Sequence, residues 1–284
     1  MSGERTAIGF VGLGNLGMGM ASRLLEAGFA VVGSDRDESR LRTLEAAGGR
    51  RGDLDSVFTC EIVCVVTPDE APVAEYFEGR TASPGVRTVL LHSTVLPAHA
   101  HELARTLAAV GATLVEAPVS GGPDAARRGQ LTVLLGGSAE AVAAVDDVLT
   151  ALASRSFALG EVGAASATKL ANQLLMLAAV QAAHEALELT DAFRVDRSAA
   201  LEAISAATGD TWVGRNWGFF DAIVADYDRA GTPSDQRPWR KDLREFVEAA
   251  EAARIDAPLA ERLLDTVGDR IEHAARTHQQ GGTS

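Results

Sequence analysis

Three glycines and one carboxylate near the N-terminus have the types and spacing that could hold a dinucleotide. Gly12, Gly14 and Gly17 follow an apolar run in G-x-G-x-x-G spacing, and Asp35 follows the next apolar run. Such glycines permit a tight turn, a close approach to a pyrophosphate and close packing of a helix on a strand. The N–H groups at the start of that helix attract the phosphates, and the acid accepts hydrogen bonds from ribose hydroxyls. The pattern predicts a nucleotide site.

The acid also bears on the choice of cofactor. Asp35 would repel a 2′-phosphate and so favours NAD. Arg36 could stack on an adenine or meet a 2′-phosphate, and Asp37 would neutralise that arginine. We therefore expect NAD, with NADP possible. The residues predicted to contact the cofactor in this region are Gly12, Gly14, Asn15, Leu16, Gly17, Asp35 and Arg36.

One lysine stands out as a candidate for proton transfer. Lys169 lies among small and apolar residues at the start of a long helical pattern. Burial favours the neutral form of a lysine amine, which brings its pKa toward a range useful for acid–base chemistry. Asn172 and Gln173 follow three and four positions later, hence on the same helix face. The alternative is a surface lysine at a helix start, and the residues alone leave it open.

Other candidates lie where predicted strands end. Ser120-Gly121-Gly122 could form a small anion cradle from backbone N–H groups and a hydroxyl, or could be an ordinary turn. Thr94 lies where it could contact a ligand or cap a helix. His92 could be a ligand, although a packed histidine is the favoured interpretation. Further candidates are Thr67 and Pro68 in another strand-end loop and Lys241 near the start of a late helix.

The order of apolar and helical segments predicts two domains. Strands are expected over 7–11, 30–33, 62–66, 88–91, 113–117 and 132–135, with helices over 97–110 and 139–152. This alternation indicates a Rossmann-type, doubly wound parallel sheet of the α/β class. A long helix over 164–194 then leads into helices over 197–207, 212–227, 241–254 and 258–275. We predict a dinucleotide-binding domain at 1–162, an all-helical substrate and oligomerisation domain at 163–276, and a flexible tail at 277–284.

Charge and composition narrow the partners. The chain has 284 residues and a formal net charge of −13, which disfavours nucleic acid and anionic membranes. An anionic substrate must therefore meet a local positive site. No apolar run is long enough to span a bilayer, and the chain shows no signal-peptide pattern, so a cytoplasmic location is expected. Cys60 and Cys64 are too far apart along one strand for a disulfide, and no motif has metal-ligand spacing.

Six motifs together resemble the β-hydroxyacid dehydrogenase family, which includes 3-hydroxyisobutyrate dehydrogenases, tartronate semialdehyde reductases and threonate-type dehydrogenases. They are IGFVGLGNLGMGMASRLLEAG, VTPD, HSTVLP, EAPVSGGPDAARRGQLTVLLGG, GEVGAASATKLANQLL and KDL. The resemblance implies that Lys169 is the catalytic acid/base. It further implies that Ser120, Gly121 and Gly122 hold the substrate carboxylate, that Asn172 and Gln173 serve the substrate, and that Thr67, Pro68, Thr94 and Lys241 serve the cofactor.

Departures from the family pattern refine the expected activity. The pair Asn172-Gln173 replaces the commoner Asn-Asn and is similar to the tartronate semialdehyde reductase and threonate-type branches. Met176 stands where decarboxylating relatives have a glutamate. We expect an NAD(P)-dependent oxidoreductase of a small 3-hydroxy acid or semialdehyde. The alternatives are an imine-reductase-like enzyme, although imine reductases replace the lysine, and a non-catalytic NAD(P)-binding protein. The family also implies a homodimer or homotetramer.

Overall fold

The computed structural model describes residues 6–229 and 231–281. It contains two compact units, which divide in the sequence between Lys169 and Leu170. The first unit therefore includes the first six residues of the long helix, whereas the sequence predicts a domain boundary just before that helix. The reason is a set of hydrogen bonds that tie the helix start to the sheet of the first unit, described below.

The first unit is built on a mostly parallel sheet. Among the described residues the strand order is β3-β2-β1-β4-β5-β6-β8-β7, with β9 paired to β8. The pairs among β1 to β6 and the pair β8–β9 are parallel, whereas β8 is antiparallel to β6 and β7. These strands are β1 (Ala7–Val11), β2 (Ala30–Ser34), β3 (Arg50–Arg51), β4 (Ile62–Val65), β5 (Thr88–Leu91), β6 (Thr113–Glu116), β7 (Val119–Ser120), β8 (Leu131–Gly136) and β9 (Ala153–Gly160).

Helices cover both faces of this sheet because side chains alternate along each buried strand. Phe10 belongs to one hydrophobic core with α1, α6 and α8, whereas Val11 belongs to a second core with α3, α4 and α5. The doubly wound α/β arrangement predicted from the sequence is confirmed. The helices of this unit are α1 (Asn15–Glu26), α2 (Glu38–Ala46), α3 (Leu54–Phe58), α4 (Ala71–Phe77), α5 (Pro97–Ala109), α6 (Gly122–Arg127), α7 (Ala139–Ala143) and α8 (Asp146–Leu152).

Three of the strands are not predicted from the sequence. β3 and β7 are two residues long, which is too short for a periodic signal. β9 has eight residues, but most of its side chains are exposed, so its sequence ASRSFALG lacks the apolar alternation of a buried strand. Its backbone pairing with β8, including a register shift, makes it a strand all the same.

The second unit is helical among its described residues. Its core contains Leu177, Val180, Trp239 and Leu243 together with residues of the last two helices. The helix α9 (Ala164–Ala192) begins in the first unit and continues here. The other elements are α10 (Arg197–Ser205), α11 (Trp212–Arg215), α12 (Phe219–Arg229), a 3-10 turn (Ser234–Gln236), α13 (Pro238–Ala252), α14 (Pro258–Leu264) and α15 (Val267–Gly281).

Several predicted helix limits are wrong. The helix predicted over 212–227 is two helices, because Gly218 adopts a left-handed φ of 88° between them. The helices predicted over 258–275 and 139–152 are also each divided in two. The tail predicted to be flexible from residue 277 is helical as far as Gly281, since no residue before it breaks the helix. Residues 282–284 lie outside the described residues.

The described residues contain neither a helix that could span a membrane nor a cluster of side chains that could hold a metal ion. None of their helices has the length and apolar character that crossing a bilayer requires. Within the same ranges, 6–229 and 231–281, no group of three or more histidine, cysteine, aspartate or glutamate side chains is arranged to hold a metal ion. The two cysteines are free and buried. Cys64 lies in β4, but Cys60 comes before that strand, so the prediction that both lie along one strand is wrong.

Candidate functional site

The glycine turn between β1 and α1 leaves no room for side chains on its protein side. A Cβ on Gly12 would lie 2.4 Å from the carbonyl oxygen of Val66, and Gly12 has a φ of 92°. A Cβ on Gly17 would lie 2.2 Å from the carbonyl oxygen of Gly12. Both positions therefore require glycine. Gly14 differs, since its nearest neighbour would be an Arg40 guanidinium nitrogen at 3.9 Å, so the surface of the turn is open at the helix start.

Asp35 lies at the carboxyl end of β2 and is bound to this turn. Its Oδ2 accepts a hydrogen bond of 2.6 Å from the backbone N–H of Leu13, and its Oδ1 accepts one of 2.9 Å from Asp37. Two backbone donors thus fix the carboxylate beside the start of α1. That is the location in which an acid of a dinucleotide fold meets the adenosine ribose, and an open turn beside it fits the pyrophosphate.

The arginine next to this carboxylate is Arg40, which the sequence analysis did not single out. Arg40 Nη1 lies 3.4 Å from Asp35 Oδ2, and its Nε lies 3.6 Å from Asp37 Oδ2. Asp37 also caps α2 by accepting a hydrogen bond from the backbone N–H of Ser39. The ion pair shown for Asp37 is therefore with Arg40, not with Arg36 as expected. A basic residue in the first turn of the helix after β2 would have been the signal for Arg40.

Polar residues follow the ends of the neighbouring parallel strands. Thr67, after β4, donates from Oγ1 to the carbonyl oxygen of Asp69 at 2.6 Å and so orders its loop. After β5, His92 and Ser93 are almost completely buried. His92 Nδ1 bonds to the carbonyl oxygen of Ala117 at 2.8 Å, which assigns the proton to Nδ1 and agrees with the packed interpretation. Among the described residues His92 Nε2 and Ser93 Oγ have no hydrogen-bond partner.

Lys169 lies in the first turns of α9 and is 8% exposed. Its Nζ donates a hydrogen bond of 3.0 Å to the carbonyl oxygen of Val119, the residue before Ser120. The surface-lysine alternative is therefore wrong. The structure brings two sequence candidates together, the buried amine and the Ser120-Gly121-Gly122 segment, although they are about 50 positions apart in the chain. Gly121 and Gly122 have φ values of 133° and 75°, a left-handed backbone that favours glycine at both positions.

Lysine is also rare in this chain. Of its 26 basic residues only Lys169 and Lys241 are lysines, and the others are arginines. Arginine remains protonated at all ordinary pH values, whereas a lysine amine can exchange its proton. Among the 26 lysines and arginines, Lys169 and Lys241 are therefore the two whose side chains can give up a proton and act as a base. Counting lysines separately from arginines would have been a further sequence signal for both.

The candidates in the second unit form a cluster of their own. Gln173 is buried and donates from Nε2 to Asp242 Oδ2 at 2.6 Å, while its Oε1 accepts a hydrogen bond of 3.1 Å from Asn172. Lys241 Nζ lies 2.7 Å from Glu245 and 3.8 Å from Asp242. The amide of Gln173 therefore links α9 to α13, and Asp242 is a member of this cluster that the sequence analysis did not single out.

Comparisons with known proteins identify the family of this chain. Residues 7–160 match the family described as the NAD binding domain of 6-phosphogluconate dehydrogenase, and residues 163–280 match the NAD-binding domain of NADP-dependent 3-hydroxyisobutyrate dehydrogenase. An L-threonate dehydrogenase of Cupriavidus necator is 35% identical over 217 residues, which are 74% of this chain and 73% of that protein. An L-threonate dehydrogenase of Escherichia coli is 30% identical over 275 residues, 93% and 89% of the two chains.

A solved structure extends the likeness to the whole fold. The crystal structure of a 3-hydroxyisobutyrate dehydrogenase from Salmonella typhimurium has a TM-score of 0.76 and 28% identity, and covers 91% of this chain and 92% of its own. Fold and matches define an NAD(P)-binding dehydrogenase with a Rossmann-like domain followed by a helical domain. The chain belongs to the β-hydroxyacid dehydrogenase family and is an NAD(P)-dependent enzyme, as the six motifs imply.

Proposed function

We propose that this enzyme oxidises a small hydroxy carboxylate of three or four carbons, with L-threonate as the first candidate and Lys169 as the general base. The observation that carries the proposal is the buried Lys169 amine, 3.0 Å from the carbonyl of Val119 and next to the Ser120-Gly121-Gly122 turn. The L-threonate dehydrogenases among the relatives support the choice of substrate, as does the Asn172-Gln173 pair. The reverse reaction would reduce the corresponding carbonyl compound.

The proton and the hydride leave the substrate alcohol by separate routes. The nicotinamide of a bound cofactor supplies the hydride acceptor. The neutral amine of Lys169 accepts the hydroxyl proton as the C–H bond gives up its hydride, so the alcohol becomes a carbonyl and the amine an ammonium group. In reduction the ammonium returns that proton to the carbonyl oxygen. Positioned acid–base catalysis of this kind contributes about 10²–10⁴-fold to a rate.

Backbone donors are proposed to hold the substrate carboxylate. The protein carries a formal net charge of −13, so an anion needs local positive potential to bind. The N–H groups of Gly121 and Gly122, with the hydroxyl of Ser120, supply donors for a carboxylate without requiring an arginine. Asn172, on the same helix as Lys169, is proposed to orient the hydroxyls, and Gln173 to hold α13, which carries Lys241, in place.

We further propose that NAD is preferred over NADP. Asp35 is fixed as a hydrogen-bond acceptor by two backbone N–H groups, and a 2′-phosphate beside it would meet its negative charge. Arg40 partly offsets that charge, so NADP is expected to bind more weakly rather than not at all. Gly12, Gly14, Asn15, Leu16 and Gly17 would contact the pyrophosphate, while Arg36, Thr67, Pro68 and Thr94 would contact the remaining parts of the cofactor.

A homo-oligomer is proposed on the basis of exposed apolar side chains of the second unit. Leu175, Leu189 and Phe193 are 71%, 63% and 76% exposed. Leu175 and Leu189 lie fourteen residues, or about four turns, apart on one face of α9, and Phe193 directly follows the end of that helix. A second copy of this chain that covered these three side chains would remove their apolar surface from water. Size-exclusion chromatography with light scattering tests the assembly.

A substrate panel tests the activity. Purified enzyme is assayed with NAD and with NADP against L-threonate, 3-hydroxyisobutyrate, glycerate and a cyclic imine, the last in the reductive direction with NADH and NADPH. We expect the highest kcat/KM with a hydroxy acid and NAD, and a loss of about 10²–10⁴-fold in kcat for Lys169→Ala. Arg87→Ala, at an exposed basic residue outside the candidate site, is the control. Turnover of the imine alone would establish the imine-reductase alternative, and cofactor binding without turnover the non-catalytic one.

A further inference from the structure

Glu116, at the carboxyl end of β6, is completely buried and binds the start of the helix that carries Lys169. Its Oε2 accepts a hydrogen bond of 2.6 Å from the backbone N–H of Gly163. Its Oε1 accepts one of 3.1 Å from the backbone N–H of Ser166 and another from the Ser166 hydroxyl. The first N–H groups of a helix lack partners within it and carry partial positive charge, so a carboxylate there is favourable.

The same short segment also binds the lysine itself. Val119, three residues after Glu116, accepts the hydrogen bond from Lys169 Nζ. Ser166 and Lys169 are three positions apart and therefore lie on one side of α9. The segment from Glu116 to Val119 thus holds the helix at its first turn and the amine one turn later, and the residue after it, Ser120, begins the proposed carboxylate cradle.

The surroundings leave the Glu116 carboxylate little freedom. A Cβ on Gly136 of β8 would lie 2.2 Å from Glu116 Oε2, so glycine is needed there to admit the carboxylate. A Cβ on Gly163 would lie 2.4 Å from the ring of His101, and Gly163 has a φ of 98°. Glycine at 136 therefore makes room for the carboxylate, and glycine at 163 lets the start of α9 pack closely against His101.

We propose that Glu116 is a positioning residue for Lys169, which sets where the amine lies relative to the substrate. The proposal rests on the proposed role of Lys169. Only a carboxylate has acceptors for all three donors. A glutamine in either orientation directs its NH₂ group at a backbone N–H or at the Ser166 hydroxyl, and leaves at least one helix-start donor unbonded. The first turn of α9 then opens more often, and Lys169 follows it.

The lysine content of the chain allows a test without any substrate. Reductive methylation followed by peptide mass spectrometry gives separate labelling rates for Lys169 and Lys241, the two lysines. In Glu116→Gln we expect the Lys169 rate, relative to that of Lys241, to rise about ten-fold, as loss of one hydrogen bond to a charged group does in a local opening equilibrium. Amide hydrogen exchange over 163–169 should accelerate by a similar factor.

Three variants serve as comparisons. Ser166→Ala removes the hydroxyl bond and keeps both backbone bonds, so a smaller increase in Lys169 labelling is expected. Asp53→Asn alters another helix-capping acid of the first unit, at α3, and should leave Lys169 labelling unchanged. Glu116→Asp, whose side chain is shorter by one methylene and falls short of the three donors, replaces Glu116→Gln if that protein does not fold. An unchanged Lys169 labelling rate and unchanged exchange over 163–169 would overturn the proposal.

Kinetics then separate positioning from general stability. With the best hydroxy acid of the panel, Glu116→Gln should lower kcat about ten- to a hundred-fold, because misplacing a catalytic group by about 1 Å can cost up to about a hundred-fold in rate. The dissociation constant for NADH should stay within about two-fold of the wild-type value, since the substitution lies outside the proposed cofactor site. In a Lys169→Ala background the same change should have almost no further effect. Equal losses in both backgrounds would contradict the proposal. If no substrate turns over but Lys169 labelling rises, the proposed function fails and the positioning of Lys169 stands.

Discussion

Protonation of His92 should limit the stability of the first unit in mild acid. His92 is 3% exposed at the end of β5, and its Nδ1 donates to the carbonyl oxygen of Ala117. Burial lowers the pKa of His92 from 6.5 to about 4, and the hydrogen bond to Ala117 opposes this only in part. The folded protein therefore holds a neutral imidazole at a pH where the unfolded chain would already be protonated at this residue.

The sign and size of the effect follow from proton linkage. Between pH 6.5 and about 4 the unfolded chain binds the proton at this position and the folded protein does not, so the free energy of unfolding falls as the pH falls. The stabilisation is complete above pH 6.5. The gap between the two pKa values corresponds to about 3 kcal/mol when fully lost, of which about 2.5 kcal/mol should be lost by about pH 4.5.

His92→Asn isolates this contribution. An asparagine amide can donate to the carbonyl oxygen of Ala117 but does not titrate, so all other groups act alike in both proteins. Urea unfolding is followed at several values between pH 4.5 and 7.5. We expect the wild-type free energy to fall by about 2.5 kcal/mol more than that of the variant over this range. Parallel curves for the two proteins would refute the reasoning, as would an imidazole NMR titration that places His92 near its ordinary pKa of 6.5.

Four further outcomes are expected. Lys169→Arg keeps the positive charge but not the exchangeable proton, so kcat should fall about 10²–10⁴-fold with unchanged NADH binding, and near-normal kcat would remove the proposed base. Asp35→Asn should lower the ratio of kcat/KM for NAD to kcat/KM for NADP about ten-fold or more, whereas Arg40→Ala should raise this ratio. If the ratio stays constant in both variants, neither residue determines the choice of cofactor. Gly17→Ala should destabilise the protein by about 1–3 kcal/mol in urea unfolding, because its Cβ would overlap the carbonyl of Gly12, and an unaffected midpoint would contradict that contact. Phe193→Glu should lower the molar mass measured by light scattering from that of an oligomer to that of a monomer, and an unchanged mass would show that another surface forms the assembly.

Much of the fold is encoded locally. The strands β1, β2, β4, β5, β6 and β8 are predicted from short apolar runs, because most of their side chains are buried on both faces of the sheet. The long helix is found from an unbroken Ala- and Leu-rich stretch. Failures have local reasons as well, since β9 is held by backbone pairing with exposed side chains, and Gly218 divides a helix whose apolar pattern continues across it.

The candidate site depends on contacts between residues that are far apart in the sequence. Closely spaced glycines identify the turn, and Asp35 is identified by its place at the end of the next strand. In the structure a hydrogen bond from the backbone N–H of Leu13 to Asp35 joins the turn to the carboxylate. The arginine beside Asp35 is Arg40 rather than its neighbour in the sequence, because the first turn of α2 brings Arg40 back toward β2. Periodicity indicates which face of an element is buried, but not which side chain of another element meets it.

The sequence by itself determined the dinucleotide turn, the acid at the end of β2, the family and the candidacy of Lys169. All of these depend on residue types at short, fixed spacing, for which chain geometry leaves few alternatives. Only the tertiary structure decided that Lys169 is buried against Val119, that Glu116 holds the start of its helix and that Gln173 bonds to Asp242. The bonded residues are separated by 47 to 69 positions. Such contacts form when the strands pair into the sheet and the helices pack, and the order of residues along the chain does not specify which distant pairs will meet.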